Sequence, residues 1–211
     1  ANQLMRLNSY LFVRTLMLLF AFAFITSQSA RMGDSILAAN TLLLQYVTLL
    51  SYALDGFAFA IEAACGEALG ARKRRHFYQL CHAAAIYAIM VSAIATLLFG
   101  LFSDVFINML TTIESVRDIA SDHAVWVMWV PIISVWSYLC DGIFVGAAQA
   151  PAMFYSVLAS LITLLPLWYL LEPWGNNGLW LAFLGFCGVR ALAALAGYLW
   201  LSYKQAWFIN T

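Results

Sequence analysis

The chain has 211 residues, of which 64% are hydrophobic and 9% charged, and its formal net charge is zero. Because roughly a quarter of the residues in a soluble domain are charged, this composition excludes an ordinary soluble fold. Long apolar runs recur along the whole chain, which excludes a single leader or anchor, and the zero net charge gives no support to nucleic acid as a partner. We therefore predict an all-α integral membrane protein surrounded by lipid.

The predicted elements are six transmembrane helices. A hydrocarbon core about 30 Å thick needs about 20 apolar residues in helical conformation, and six stretches meet that length. Their apolar runs are continuous and lack the alternation of strands, which excludes a barrel. In chain order the spans cover about 7–27, 35–69, 77–101, 119–146, 153–171 and 178–203. We treat residues 1–211 as a single six-helix transmembrane lobe.

The first two spans carry ionisable residues that are costly in lipid. Arg14 is the only charged residue of the first span. On the second span, spacings of three, four and four place a set of acidic and small residues on one helix face: Asp55, Ala58, Glu62 and Gly66. Two interpretations stay open. The stripe faces a cavity as a proton or cation path, or Glu62 is a helix-end acid beside the cytoplasmic headgroups.

The second span is also too long for the membrane. As one helix it would extend about 50 Å at a rise of 1.5 Å per residue, well beyond the hydrocarbon core. We expect it to tilt steeply, to protrude from the bilayer, or to break near Asp55-Gly56.

The orientation follows from one basic loop. Arg72, Lys73, Arg74 and Arg75 lie between the second and third spans, and short loops rich in Lys and Arg remain in the cytoplasm. This places both termini in the cytoplasm of a multi-pass inner (plasma) membrane protein. An alternative role for the basic block is to bind anionic lipid headgroups.

The fourth span combines a proline with a polar seam. Pro131 removes a backbone donor, and we expect a kink there. Ser134, then Ser137 or Tyr138, then Asp141 recur at helical spacing. Such a seam should face protein or water, and a carboxylate placed there can be neutral in one conformation and charged in another.

Arg190 lies near the middle of the last span, roughly 18 Å from either end, too far to reach the headgroup layers easily. We expect it to pair inward, with Asp141 or with an acid of a segment outside this chain. A purely structural ion pair is the competing interpretation.

Several chemistries have no matching motif. There is no H-E-x-x-H, no G-x-S-x-G turn and no P-loop, so we expect no enzyme activity, no ATP use, no metal and no cofactor. The cysteines are scattered singly, and we predict reduced core residues at Cys65, Cys81, Cys140 and Cys187.

Three groups of motifs occur in an order and spacing that belong to a known family. They are Gly33 to Asn40 with Asp55-Gly56-Phe57-Ala58, Glu62-Ala63 and Gly66 to Ala71; Asp141 to Gly146 with Ala148-Gln149-Ala150; and Asn177 to Ala182. Together they resemble the second, fourth and last helices of the C-terminal six-helix lobe of multidrug and toxic compound extrusion (MATE) transporters, and the resemblance covers the whole chain.

The resemblance implies an antiporter with two homologous six-helix lobes, of which this chain supplies one, so the partner would be a second lobe. Asp141 falls where the family places an acid of the fourth helix. The acid that some members carry on the first helix of this lobe has no counterpart, and Arg14 is the charged residue there.

We therefore predict a lobe of a secondary active antiporter that exports amphipathic, often cationic, small organic compounds in exchange for protons or sodium. The alternatives are a lipid-linked precursor flippase of the same superfamily, whose cavity would be richer in arginine, an intramembrane enzyme, and a non-transporting membrane scaffold. The predicted substrate and ion pathway consists of Asp141, Asp55, Glu62, Arg190, Ser137 and Tyr138.

Overall fold

The computed structural model describes residues 2–205 and 207, including the side chains of 5, 8–205 and 207. This part of the chain is almost wholly helical. The α-helices are α1 (Asn2–Met32), α2 (Asp34–Gly70), α3 (Arg74–Leu110), α4 (Glu114–Met128), α5 (Val130–Gly146), α6 (Ala150–Leu171) and α7 (Gly175–Tyr203), with a 3-10 turn over Glu172–Trp174 between the last two.

The connections between helices are shorter than the sequence suggested. Gly33 alone separates α1 from α2, and its φ of 122° is a conformation that glycine adopts without strain. The predicted spans 77–101 and 119–146 leave the polar stretch 104–118 between helices as a loop, which is wrong, because α3 continues to Leu110 and α4 begins at Glu114. Polar residues near a membrane surface remain compatible with helix, so the polarity of this stretch marked the end of the apolar run and not the end of the helix.

The long second span is one uninterrupted helix. α2 contains 37 residues, which corresponds to about 55 Å of helix. The break at Asp55-Gly56 that the sequence left open does not occur. A helix of this length must tilt in the bilayer or extend beyond it.

The predicted fourth span is a bent pair of helices. α4 and α5 meet at Trp129 with an angle of 46°. Pro131 lies in the first turn of α5, and it has no N–H with which to continue the hydrogen-bond ladder of α4. The kink predicted from Pro131 is therefore confirmed, and it divides the span in two.

Four helical stretches are long and apolar enough to cross a membrane: Asn8–Met32, Asp34–Gly70, Arg74–Leu110 and Ala150–Tyr203. The bent pair α4–α5 is a fifth if it is counted as one span. The stretch Ala150–Tyr203 is a hairpin, because α6 and α7 are antiparallel neighbours. Gly178 approaches Leu171, Gly185 approaches Leu167 and Gly197 approaches Ala152. With α6 and α7 separated, the described residues contain six spans.

Helix α5 lies at the centre of the bundle and packs against α2, α3 and α7. Its side chains are mostly buried, among them Val135, Leu139 and Phe144. By contrast, α1 and α3 expose large apolar side chains such as Phe12 and Leu97, which have lipid as their natural surroundings. A charged group on α5 therefore lies where lipid does not reach, and it must find its partners within the protein.

Candidate functional site

A buried cluster of three charged side chains joins three helices. Asp141 of α5 accepts hydrogen bonds on a single oxygen, Oδ2, from Nη2 of Arg14 in α1 and from Nη2 of Arg190 in α7, the latter at 2.6 Å. The side chains of Asp141 and Arg190 are 7% and 8% exposed, and that of Arg14 is 19% exposed. We call these residues the Arg–Asp–Arg cluster.

The cluster is incompletely satisfied. Two guanidinium groups share one carboxylate, so the three side chains carry a net charge of +1 when all are ionised. Oδ1 of Asp141 and the Nε atoms of both arginines are buried without a hydrogen-bond partner among the described residues. Unused donors on a buried cation are costly, and each calls for an explanation such as a functional role or a bound water or ion.

A cavity of about 130 Å³ lies beside the cluster, between α1, α2, α5 and α7. One part of its wall is aromatic and aliphatic, with Phe22, Phe183 and Phe186 among its members. The other part is polar and consists of Arg14, Ser51, Asp55, Ser134, Tyr138 and Arg190. The cavity therefore offers apolar and charged surfaces side by side.

Tyr138 connects the cavity wall to the cluster. Its hydroxyl donates a hydrogen bond to Oγ of Ser51 at 2.7 Å, which holds α5 against α2. Its ring lies 5.2 Å from the guanidinium carbon of Arg190, within the range of a cation–π contact. The ring thus gives Arg190 a second contact beside its hydrogen bond to Asp141.

The structure brings together four of the six residues that the sequence analysis singled out. Asp55, Tyr138 and Arg190 line the cavity, and Asp141 is bound to Arg190 on its edge. The sequence left Ser137 and Tyr138 as alternatives for the polar seam, and it is Tyr138 that reaches the cavity. Ser137 is 1% exposed and donates its hydroxyl hydrogen to the carbonyl of Ser134 in its own helix.

Glu62 is not among the cavity-lining residues, because the α2 stripe from Ala58 to Gly66 packs against α5. A Cβ atom on Gly142 would overlap the carbonyl oxygen of Ala58, and one on Gly146 would lie 2.5 Å from that of Glu62. The α2 stripe therefore packs directly on the α5 backbone. Of its four members only Asp55 lines the cavity.

Arg14 is the functional candidate that the sequence analysis undervalued. It was noted as the one charged residue of the first span, and its position about twelve residues inside α1 was the available signal. The sequence could not show which carboxylate pairs with Arg14, because the partner, Asp141, is 127 residues away.

A second buried polar cluster also went unrecognised. Asn40 of α2 donates to Ser29 of α1 at 2.7 Å and to Asn176 of α7 at 2.6 Å. Its Oδ1 accepts from Nδ2 of Asn176 and from Nε1 of Trp180, both at 3.0 Å. This Asn40 cluster joins three helices, as the Arg–Asp–Arg cluster does, but it contains no charge.

Apolar spanning helices around a buried ionic cluster and a polar cavity define a polytopic membrane protein with an ionisable site in its core. Residues 11–170 match the family model described as MatE. The chain belongs to the MATE family, which the resemblance of its motifs had indicated.

A curated relative aligns with the whole of this chain. The chain is 34% identical over 217 residues to DNA damage-inducible protein F of Escherichia coli (strain K12), an alignment that includes 100% of this chain and 46% of that protein. This chain thus spans about half the length of its curated relative.

Two solved structures share the fold. One is a MOP superfamily transporter from Pyrococcus furiosus, whose binding pocket of reverse polarity suggests a different function, with a TM-score of 0.78 and 19% identity over 94% of this chain and 45% of that one. The other is the inward-facing conformation of a multidrug resistance MATE family transporter, with a TM-score of 0.76 and 19% identity over 94% of this chain and 46% of that one.

Proposed function

We propose that this chain is one lobe of a secondary active antiporter in the cell inner membrane, with both termini in the cytoplasm. The complete transporter exports amphipathic organic compounds, cationic ones included, in exchange for protons or sodium ions. A second homologous six-helix lobe, in the same polypeptide or a partner chain, supplies the other half of the transport path. That partner is supported by the lengths of the relatives, of which this chain spans about half.

The observation that carries the proposal is the Arg–Asp–Arg cluster at the cavity wall. An ion can drive transport only if its binding differs between two conformations. Asp141 is a carboxylate held by α1 and α7 at once, so a change in its charge alters the attraction between three helices. A non-transporting scaffold has no use for such a costly group in its core.

A flippase for lipid-linked precursors is the second candidate. It is favoured by the two arginines, Arg14 and Arg190, which the cavity presents to its contents. Such precursors carry phosphate groups on a lipid, and arginine binds phosphate well. No enzymatic step belongs to either proposal.

The decisive experiment replaces Asp141 in the complete transporter reconstituted into liposomes. A pH or sodium gradient is imposed, and the efflux of a fluorescent amphipathic compound is followed. We expect Asp141→Asn to insert and fold while losing gradient-driven efflux, and Asp141→Glu to retain part of it with a shifted pH optimum.

The competing interpretation is that Asp141 only neutralises its arginines. In that case Asp141→Asn would be poorly inserted, and adding Arg190→Leu would restore expression. Normal gradient-dependent efflux by a well-expressed Asp141→Asn protein would refute the coupling role.

A further inference from the structure

We infer that the cavity binds the negatively charged group of an amphipathic ligand, a carboxylate or a phosphate, between Arg14 and Arg190, and that Asp141 is the internal anion with which this group competes. The inference rests on the proposed transport function and adds a substrate class to it. A purely cationic substrate would be recognised by an acidic residue. In this inference the charge of the ligand is negative, and the two arginines recognise it.

The first argument is the unused donor capacity of the arginines. Each guanidinium has five N–H donors in a planar fork that matches a carboxylate or phosphate with two parallel hydrogen bonds. In the cluster both Nη2 atoms converge on one oxygen, and both Nε atoms are buried without a partner among the described residues. One carboxylate therefore leaves the Nε donors of both arginines unused.

The second argument is the balance of charge. Arg14, Arg190, Asp141 and Asp55 are the formally charged residues that line the cavity or bind to its lining, and their charges sum to zero when all four are ionised. The cavity thus has no excess of negative charge with which to attract a cation. Neutralising either acid gives a net positive cavity that favours an anion.

The third argument is geometric. Arg14 is more exposed than Arg190, at 19% against 8% of its side chain, and it comes from α1, whereas Arg190 is held by the ring of Tyr138. Arg14 is therefore the arginine whose side chain can leave Asp141 and bind a ligand instead. The aromatic wall of Phe22, Phe183 and Phe186 provides the apolar contact that the rest of an amphipathic ligand needs.

The cavity can also receive a positive group. Asp55 lies on the same wall, and no salt bridge within 4 Å joins it to another described residue. A zwitterionic amphipath would place its anionic group at the arginines and its cationic group at Asp55. A purely cationic amphipath would use Asp55 and leave the arginines on Asp141.

Binding to the complete purified protein, with no ion gradient, tests the inference. The probes share one chain length and differ in charge: octyl phosphate and octanoate as anions, octylphosphocholine as a zwitterion, and octyltrimethylammonium as a cation. Affinities are measured by calorimetry at fixed pH and salt. We expect Arg14→Gln and Arg190→Gln to weaken both anions and the zwitterion by about tenfold or more, because each loses charge-assisted hydrogen bonds. The affinity for octyltrimethylammonium should not fall.

The matched control is Arg31→Gln, which removes an exposed arginine at the C-terminal end of α1 and should change no affinity. Asp141→Asn supplies a test of the opposite sign, since removing the internal anion should tighten octyl phosphate binding by about tenfold. Octyl phosphate should also raise the melting temperature of that variant more than that of the unmodified protein. If a glutamine variant does not fold, Arg14→Lys keeps the charge without the fork and should lose affinity for the anions.

The absence of octyl phosphate binding to both the unmodified protein and Asp141→Asn, or anion binding unaffected by either arginine, would overturn the inference. The two hypotheses fail separately. Arginine-dependent anion binding without gradient-driven flux would refute the antiporter, whereas gradient-driven flux without arginine-dependent anion binding would refute only the anion site.

Discussion

Asn40 and Asp141 are both buried polar side chains that join three helices, but they differ in how fully they are satisfied. Both polar atoms of the Asn40 amide are hydrogen bonded, to Ser29, Asn176 and Trp180. Asp141 leaves Oδ1 without a partner among the described residues and shares Oδ2 between two cations. A fully satisfied polar network makes the packing rigid and specific, whereas unpaired buried polar atoms cost free energy. We infer that the hydrogen bonds of the Asn40 cluster hold its three helices in one arrangement, whereas the contacts of the Arg–Asp–Arg cluster rearrange during transport.

The Asn40 cluster leads to a prediction at the residue scale. Asn40→Ala leaves the indole N–H of Trp180 and the amide of Asn176 without their partner in a buried site. We expect the free energy of unfolding to fall by about 1–3 kcal/mol and the melting temperature in detergent to fall with it. Gln45→Ala, at an exposed position of the same helix, is the control and should leave the melting temperature unchanged. Identical melting of the two variants would show that the cluster contributes nothing to stability.

At the scale of elements, α5 determines the position of the site. Gly142 and Gly146 let its backbone touch α2, and Gly66 of α2 faces Gly146 across the contact. Gly70, four residues after Gly66 on the same helix, takes no part in this contact, since a Cβ on Gly70 would meet no atom within 4 Å. Close backbone approach is the usual means of packing helices in lipid, where the hydrophobic effect does not drive helices together.

Gly142→Ala tests this contact. The added Cβ would overlap a backbone carbonyl of α2, and a backbone atom cannot move aside as a flexible side chain can. We expect α5 to separate from α2 at a cost of about 1–3 kcal/mol, with a displacement of the adjacent Asp141. The measurement is thermal melting together with gradient-driven flux in liposomes. Gly56→Ala, in a helical site with no neighbouring atom within 4 Å, should retain both stability and flux, and comparable losses in the two variants would contradict the packing argument.

At the scale of the whole molecule, the largest group of basic residues lies at one end of the bundle and most of the acids of the connections lie at the other, with Arg31 and Arg117 as exceptions beside those acids. Arg72, Lys73, Arg74 and Arg75 are exposed where α2 passes into α3, and Glu114, Asp118 and Glu172 are exposed at the opposite ends of their helices. The block of four basic residues fits a bundle whose α2–α3 connection faces the cytoplasm.

Labelling of single cysteines tests this orientation. The four native cysteines are buried and form no disulfide, so an introduced cysteine can be distinguished from them. In intact cells a membrane-impermeant maleimide should label Glu114→Cys and not Lys73→Cys, and after the cells are opened it should label both. Labelling of Lys73→Cys in intact cells would reverse the orientation.

The sequence by itself determined that lipid surrounds the chain, how many spans the chain has, and to which family it belongs. Composition and the lengths of the apolar runs are sufficient for the first two. In lipid each span must satisfy its own backbone hydrogen bonds, which a helix does, and a helix needs about 20 residues to cross the hydrocarbon core. The order of small-residue motifs indicated the family, and Pro131 indicated the bend. All of these are local properties of the chain, which is why they could be read from it.

The tertiary structure decided which of the costly residues act together. Arg14 and Asp141 are 127 positions apart, and Asp141 and Arg190 are 49 apart, so no helical period connects them. Ser137 and Glu62 had spacings as suggestive as those of Tyr138 and Asp55, yet Ser137 bonds to its own helix and Glu62 lies along a helix contact. Periodicity shows which residues share a face of one helix. What that face meets depends on how the helices pack, and in this chain the packing of α5 against α2 and α7 selected the cavity residues.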